Sequence, residues 1–160
     1  MQYDRELREA IAAAEAAGRY VREEYDRFVP IPDAPASIST HVDHGAQEII
    51  LTHLRAAFPA DGLVAEEATA TLQSAPAGTT GRAWVVDPID GTRGFAMTNG
   101  EFSVMVGLTD GGVPVVGVVL EPTLGRLTYA AAGTGCWLTV NGGEPARCRV
   151  TGTAGLRSSV

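Results

Sequence analysis

The hydrophobic periodicity of the chain changes at Asp61, and that switch limits the folds open to it. Before it, Leu7, Ile11, Ala14, Gly18, Val21, Tyr25 and Phe28 recur at spacings of four and three with Arg and Glu between them, the stripe of an amphipathic helix. Pro30 and Pro32 are expected to stop that helix, and the Pro-, Ala- and Ser-rich stretch 29–39 reads as a connection. A second helix is predicted behind Thr40, an N-cap with Asp43 at the third helical position as in a weak capping box. Ala46, Ile50, Leu54 and Ala57 or Phe58 form its buried stripe, and Pro59 closes it.

After Asp61 the apolar residues come in short runs separated by turn residues. Leu63-Val64, Arg82 to Val86, Phe102 to Thr109, Val113 to Leu120, Leu127 to Ala131, Trp137 to Val140 and Ala146 to Val150 all read as strands. Asp110-Gly111-Gly112 and Asn141-Gly142 are hairpin turns. Ala68 to Thr80 reads as a mobile surface loop. Two helices followed by a meander predict an α+β fold, with both helices packed on one face of an antiparallel sheet of about six strands.

At 160 residues the chain suffices for one domain with its own core. Its 12 basic residues are all Arg, which excludes Schiff-base and P-loop lysine chemistry within it. Against 19 acidic residues the net charge is −7, unsuited to a nucleic-acid or anionic-membrane surface. Cys136 and Cys148 have no CxxC spacing and no His pair nearby, so two ordinary reduced thiols are expected. The N-terminus is charged from Asp4 onward, and the apolar run Val113 to Leu120 is broken by Pro114 and Gly117, too short for the ~20 residues of a bilayer span. A cytoplasmic protein is the default expectation.

The chemistry concentrates in Trp84-Val85-Val86-Asp87-Pro88-Ile89-Asp90-Gly91-Thr92. A buried strand ends at Asp87, a second carboxylate follows at Asp90, and the Ile89 carbonyl lies between them: oxygen donors of the kind Mg²⁺ takes, completed by water and substrate phosphate. Gly91 allows close backbone approach, and a helical turn starting at Thr92 would present free N–H groups to an anion. By spacing alone the segment reads equally as Asp-Pro and Asp-Gly turn residues. Glu66-Glu67 ends another strand and Asp43 opens a helix; taken singly, these are a solvated acidic pair and a carboxylate on the helix dipole. His41, His44 and His53 read as helix-surface residues, Trp84 and Trp137 as sheet core, and Glu101 as structural.

Three segments together resemble the inositol monophosphatase superfamily of metal-dependent, lithium-sensitive phosphomonoesterases. Its D-P-[IL]-D-G-T-x-x-F signature stands as Asp87 to Thr92 and Phe95, preceded by Ser39-Thr40-His41-Val42-Asp43 and Ala65-Glu66-Glu67 in the same order and spacing. Within it, Asn99 to Val104 followed by the Gly-x-Pro-Val-x-Gly hairpin is most similar to the 3′(2′),5′-bisphosphate nucleotidases, which hydrolyse adenosine 3′,5′-bisphosphate to AMP. The resemblance implies Mg²⁺ held by Glu66, Asp87, the Ile89 carbonyl and Asp90, with Gly91 and Thr92 donating backbone N–H groups to the phosphate. It implies Asp43, Thr92 and Glu66 as catalytic, Thr92 being oriented by Asp43 to help deprotonate the attacking water. Departures are Ala65 for the usual Gly, Arg93 where nucleotidases often have Lys, and the missing Lys ahead of Thr40; none removes a ligand.

Family members continue into an α/β domain that supplies another metal Asp and most substrate contacts. Residues 1–150 are therefore expected to be an N-terminal metal- and phosphate-binding domain, and 151–160 the start of that second domain. The partners implied are a small phosphorylated substrate and a second copy of the chain, with no nucleic acid and no membrane. Inositol monophosphatase activity is the alternative within the class; outside it stands a truncated, non-catalytic metal-binding or association module.

Overall fold

The computed structural model describes residues 2–153, so the expected start of a further domain at 151–160 lies mostly outside the described residues. Helix α1 spans Asp4–Tyr25 and α2 spans His41–Ala57. Seven strands follow: β1 Gly62–Ala65, β2 Arg82–Asp90, β3 Ser103–Asp110, β4 Val113–Glu121, β5 Arg126–Ala131, β6 Gly135–Val140 and β7 Ala146–Cys148. Two short helices interrupt them, α3 Ala70–Gln73 and α4 Thr92–Ala96. The strands lie in one sheet in chain order, and every neighbouring pair is antiparallel except β1 with β2. Among the described residues no helix is long and apolar enough to cross a membrane.

Both helices pack on one face of the sheet, as predicted. Ala10, Ala13, Ala14, Ala17 and Val21 of α1 and Val42, Ala46, Ile50, Leu51 and Leu54 of α2 join Trp84, Val86, Val104, Val106, Leu108, Val116 and Val118 in a continuous core. Those strand residues alternate along each strand, as one buried sheet face requires. The helix stops earlier than its prolines suggest. After Tyr25 the chain tightens, with Arg27 N–H donating to Glu24 O and Phe28 N–H to Tyr25 O, and this turn lays Phe28 edge-on against Phe95 at 4.9 Å. The Gly111–Gly112 turn has φ of 56° and 81°, the mirror-image turn that suits the twist of a two-residue hairpin.

Two further expectations need correction. Residues 68–80 are not a free loop: α3 forms within them, Glu48 accepts from Thr71 N–H and Oγ–H, and Thr69 is buried. A parallel pair needs a crossover connection, and this segment is the one joining β1 to β2. Trp84 is core, its ring 5.2 Å from Phe58, but Trp137 is only half-buried and donates to Thr134 O. The two cysteines, well separated in sequence, stand directly opposite each other on β6 and β7, both as free thiols.

Asp61 fixes the start of the β1–β2 pair. Its carboxylate accepts from the Trp84 indole at 3.1 Å, from Arg82 at 2.9 and 3.2 Å and from the Thr80 hydroxyl at 2.8 Å. With their first residues tied together, the two strands run level as far as Ala65 and Val86, where β1 ends.

Candidate metal and phosphate site

The parallel register pairs Ala65 with Val86, so the next residues, Glu66 just past β1 and Asp87 still within β2, stand at the same level. Asp90 needs a further device, because residues three apart on a regular strand face opposite sides. The β2–β3 register slips by one between Asp87 and Asp90, the mark of a β-bulge. Burial records the slip: Trp84, Val86 and Pro88 are buried in alternation, then Ile89 is buried as well, and Asp90 emerges exposed. Pro88, which has no N–H to give a ladder, sits within the irregular stretch. The bulge thus turns Asp90 out on the side of Asp87.

Gly91 then adopts φ 89°, ψ 36°, and a Cβ there would lie 2.7 Å from Glu101 O. Only glycine meets both conditions comfortably. Helix α4 begins at Thr92, so its first N–H groups have no partner within the helix. Phe95 anchors the turn from below, fully buried against Tyr25, Phe28 and Phe102 at centroid distances of 4.9 to 5.6 Å. Asn99 accepts from Glu101 N–H at 2.9 Å and donates to its carboxylate at 3.1 Å, so Glu101 holds the loop against Gly91, in keeping with the structural role expected of it.

Thr92 and Asp43 meet although 49 residues separate them. Thr92 Oγ lies 2.8 Å from Asp43 Oδ1 and 2.9 Å from Ile89 O, so its one hydroxyl hydrogen is shared between two acceptors. The other oxygen, Asp43 Oδ2, accepts from Thr40 N–H at 2.8 Å and Thr40 Oγ–H at 2.6 Å. The capping box is complete, with Thr40 Oγ also accepting from Val42 N–H. Asp43 is 2% exposed. One carboxylate therefore caps α2 with one oxygen and orients Thr92 with the other.

Asp87 is the electrostatic centre. Burial, then the negative charges of Glu66 and Asp90, push its carboxyl up to about 6; the Ile89 amide pulls the other way, and Asp43 adds a smaller push. Its Oδ1 is buried with no hydrogen-bond partner. An acceptor in that condition is costly unless something positive comes to it. Carboxylates of Glu66 and Asp90 near enough to raise Asp87, with the Ile89 carbonyl between Asp87 and Asp90 in sequence, are oxygen donors of the kind a hard divalent cation takes. Among the described residues no three His, Cys, Asp or Glu side chains by themselves surround a point.

The histidines do not belong to this set. His41 faces Glu24 at 3.7 Å, His44 faces Glu67 at 3.4 Å and His53 bonds Glu9 at 2.8 Å, each on the surface of α2 as expected. One residue beside the site escapes a reading by motif: Gln47, fully buried and bonded to the backbone of Glu67. Its only signal is position, a polar residue one turn after Asp43 on the face that otherwise carries Ala46 and Ile50.

Comparison with known proteins agrees with this geometry. The family model described as "Inositol monophosphatase family" matches residues 3–159. Histidinol-phosphatase of Mycobacterium tuberculosis is 32% identical over 99% of this chain and 60% of that protein. The 3′(2′),5′-bisphosphate nucleotidase CysQ of Salmonella typhimurium is 35% identical over 79% of this chain and 52% of that protein. Among solved structures, inositol monophosphatase from Anabaena superposes with a TM-score of 0.74 at 29% identity, covering 96% of this chain and 52% of that one. The chain spans about half the length of most curated relatives it matches. With the match running through nearly all of its residues, the chain belongs to the inositol monophosphatase family.

Proposed function

We propose that this chain is the metal- and phosphate-binding part of a Mg²⁺-dependent phosphomonoesterase that removes the 3′-phosphate of adenosine 3′,5′-bisphosphate. The observation that carries the reading is the partnerless Asp87 Oδ1, crowded by Glu66 and Asp90 beside the Thr92–Asp43 pair. Bound at Glu66, Asp87, the Ile89 carbonyl and Asp90, Mg²⁺ supplies the positive charge that makes water acidic and offsets charge on the phosphoryl oxygens. The Gly91 and Thr92 N–H groups hold the phosphate at the start of α4. Thr92, donating to Asp43 Oδ1, keeps an Oγ lone pair for the attacking water. As the water oxygen bonds to phosphorus, its proton passes to Thr92 and the Thr92 proton to Asp43. The bond to the departing oxygen breaks, that oxygen takes a proton from solvent water, and Asp43 returns its own proton to solvent, so the protons balance.

The nucleotide substrate is supported by Asn99 to Val104 and by CysQ of Salmonella typhimurium and of Escherichia coli, 35% and 34% identical. Relatives named for histidinol phosphate and inositol phosphate match over comparable stretches, so the deciding experiment compares substrates. Phosphate release is measured from adenosine 3′,5′-bisphosphate, inositol 1-phosphate and histidinol phosphate, with and without Mg²⁺. Preference for the bisphosphate supports the reading, preference for either other substrate replaces it, and no Mg²⁺-dependent release from any sinks it.

A second reading, a metal-binding association module without turnover, rests on the sheet face away from the helices, where Val64 and Val85 are 54% and 44% exposed. A homodimer is the assembly proposed in either case. Sedimentation with a parallel assay separates them: self-association with metal binding but no hydrolysis favours the module.

A further inference from the structure

Strand β1 ends at Ala65, the last residue with a partner on β2, and the chain then bends away through Glu66 and Glu67. A backbone leaving a sheet edge loses its ladder hydrogen bonds and needs others. Gln47 supplies them. Its Oε1 accepts from Glu67 N–H at 2.8 Å and its Nε2 donates to Glu67 O at 2.6 Å. The second Nε2 hydrogen goes to Thr69 Oγ at 2.9 Å. The side-chain amide thus bonds both main-chain groups of one residue, as a paired residue on a neighbouring antiparallel strand would.

Gln47 is fully buried, and its amide spends both hydrogens and a lone pair on the segment that follows β1. The residue it grips is next to Glu66. The Glu67 side chain is held too, accepting from Ser39 Oγ at 2.7 Å with His44 at 3.4 Å. Helix α2 therefore fixes the site at two points one turn apart, through Asp43 to Thr92 and through Gln47 to the backbone beside Glu66.

We infer that Gln47 is a positioning residue for the metal centre, using its side-chain amide as a surrogate strand to hold Glu66 level with Asp87. This rests on the assignment of Glu66 and Asp87 as metal ligands. Outer partners that orient a ligand typically contribute 10- to 100-fold in metal affinity or activity. Gln47→Met keeps the volume and removes all three hydrogen bonds; Gln47→Glu keeps the acceptor toward Glu67 N–H and removes both donors.

The test is Mn²⁺ binding by calorimetry on the metal-free protein, with thermal melts of each variant and the Mg²⁺ concentration for half-maximal activity as a parallel readout. Gln47→Met is expected to weaken Mn²⁺ about tenfold or more and Gln47→Glu by less, with kcat recovering at saturating metal. Two controls separate positioning from loss of stability. Thr69→Val, which of Gln47's three contacts removes only the third, and Ile50→Val, one turn further along the buried face, should leave Mn²⁺ affinity within about twofold. If Gln47→Met does not fold, Gln47→Glu carries the test. Wild-type Mn²⁺ affinity in either folded variant overturns the inference, as does an equal loss in Ile50→Val. Glu66→Gln and Asp87→Asn are measured alongside. If they leave Mn²⁺ affinity unchanged, the metal assignment itself fails; if they weaken it and the Gln47 variants do not, only the positioning role falls.

Discussion

At the β5–β6 end of the sheet, each residue from Arg126 to Ala131 faces one partner on β6, without interruption. At the β1–β2 end the pairing is parallel, stops at Ala65 and Val86, and on the β3 side slips between Asp87 and Asp90. The first region closes its own hydrogen bonds. The second leaves backbone and carboxylate groups over, and side chains from α2 take up some of them: Gln47 at Glu67, Asp43 at Thr92. Asp87 Oδ1 remains without a partner. Irregular pairing is what gathers acidic groups where β1 and β2 part, and it leaves one buried carboxylate oxygen there without a donor.

The largest expected effect is at Asp87. Asp87→Asn should reduce Mg²⁺-dependent hydrolysis well beyond the roughly hundredfold that losing an outer-shell partner costs. The same change should raise the melting temperature of the metal-free protein at pH 8, because it removes a charge held among Glu66, Asp90 and Asp43. A melt in chelator and an assay in Mg²⁺ must move in opposite directions. A lower melting temperature would mean that the carboxylate stabilises the fold and is no dedicated ligand.

Next comes the proton path. Thr92→Val and Asp43→Asn should each lower kcat by about 10²- to 10⁴-fold, the range of general acid–base contributions. Mn²⁺ affinity should hardly change, since neither side chain is among the proposed ligands. The Asn amide oxygen can still accept from the Thr40 N–H and keep half of the capping box, so Asp43→Asn should keep α2 largely intact. Equal loss of metal binding and turnover would merge the two functions that the geometry separates. Gly91→Ala should cost about 1–3 kcal/mol by urea unfolding, since a Cβ at φ 89° would also press on Glu101 O 2.7 Å away.

What could be read from sequence divides along the same line. The stripes of α1 and α2, the alternation in β3 and the turns at Gly111–Gly112 and Asn141-Gly142 follow from local periodicity and turn chemistry, and all are present. The carboxylates at 43, 66, 87 and 90 are recognisable as a spaced set, yet spacing does not reveal the bulge that turns Asp90 outward. Helix α3 has only four residues, too few for a period to register. Gln47 carries no motif, because its meaning lies in a backbone 20 residues away. The Cys136–Cys148 pairing depends on the length of the turn between β6 and β7, a register that composition does not encode.

A smaller effect should separate the acidic edge by pH. The Asp87 carboxyl titrates near 6 in the folded chain against an ordinary 3.8. Between those values the folded state holds the proton that the unfolded chain has lost, so stability from this group is full below about 4 and is lost as pH rises through about 6. A cation competes with the same proton. Apparent Mg²⁺ affinity should therefore fall about tenfold from pH 7 to pH 5, and added Mg²⁺ should stabilise the protein far more at pH 8 than at pH 5. A pH-independent affinity would remove Asp87 from the ligand set.

The smallest effect belongs to the regular end. Val140 lies at the end of β6, opposite Arg126, and is 47% exposed. Val140→Thr keeps the β-branched shape, and a surface change of this kind is expected to shift stability by no more than about 0.5 kcal/mol. Mn²⁺ affinity, kcat and the pH profile should be indistinguishable from wild type. The comparison depends on this null result as much as on the large losses at Asp87. Both ends belong to one sheet, and if strain passed freely along the ladders, a change at β6 would reach the carboxylates at β2. A measurable shift in Mn²⁺ affinity in Val140→Thr would show that the site is tuned by the whole sheet rather than by α2 and the broken pairing beside it.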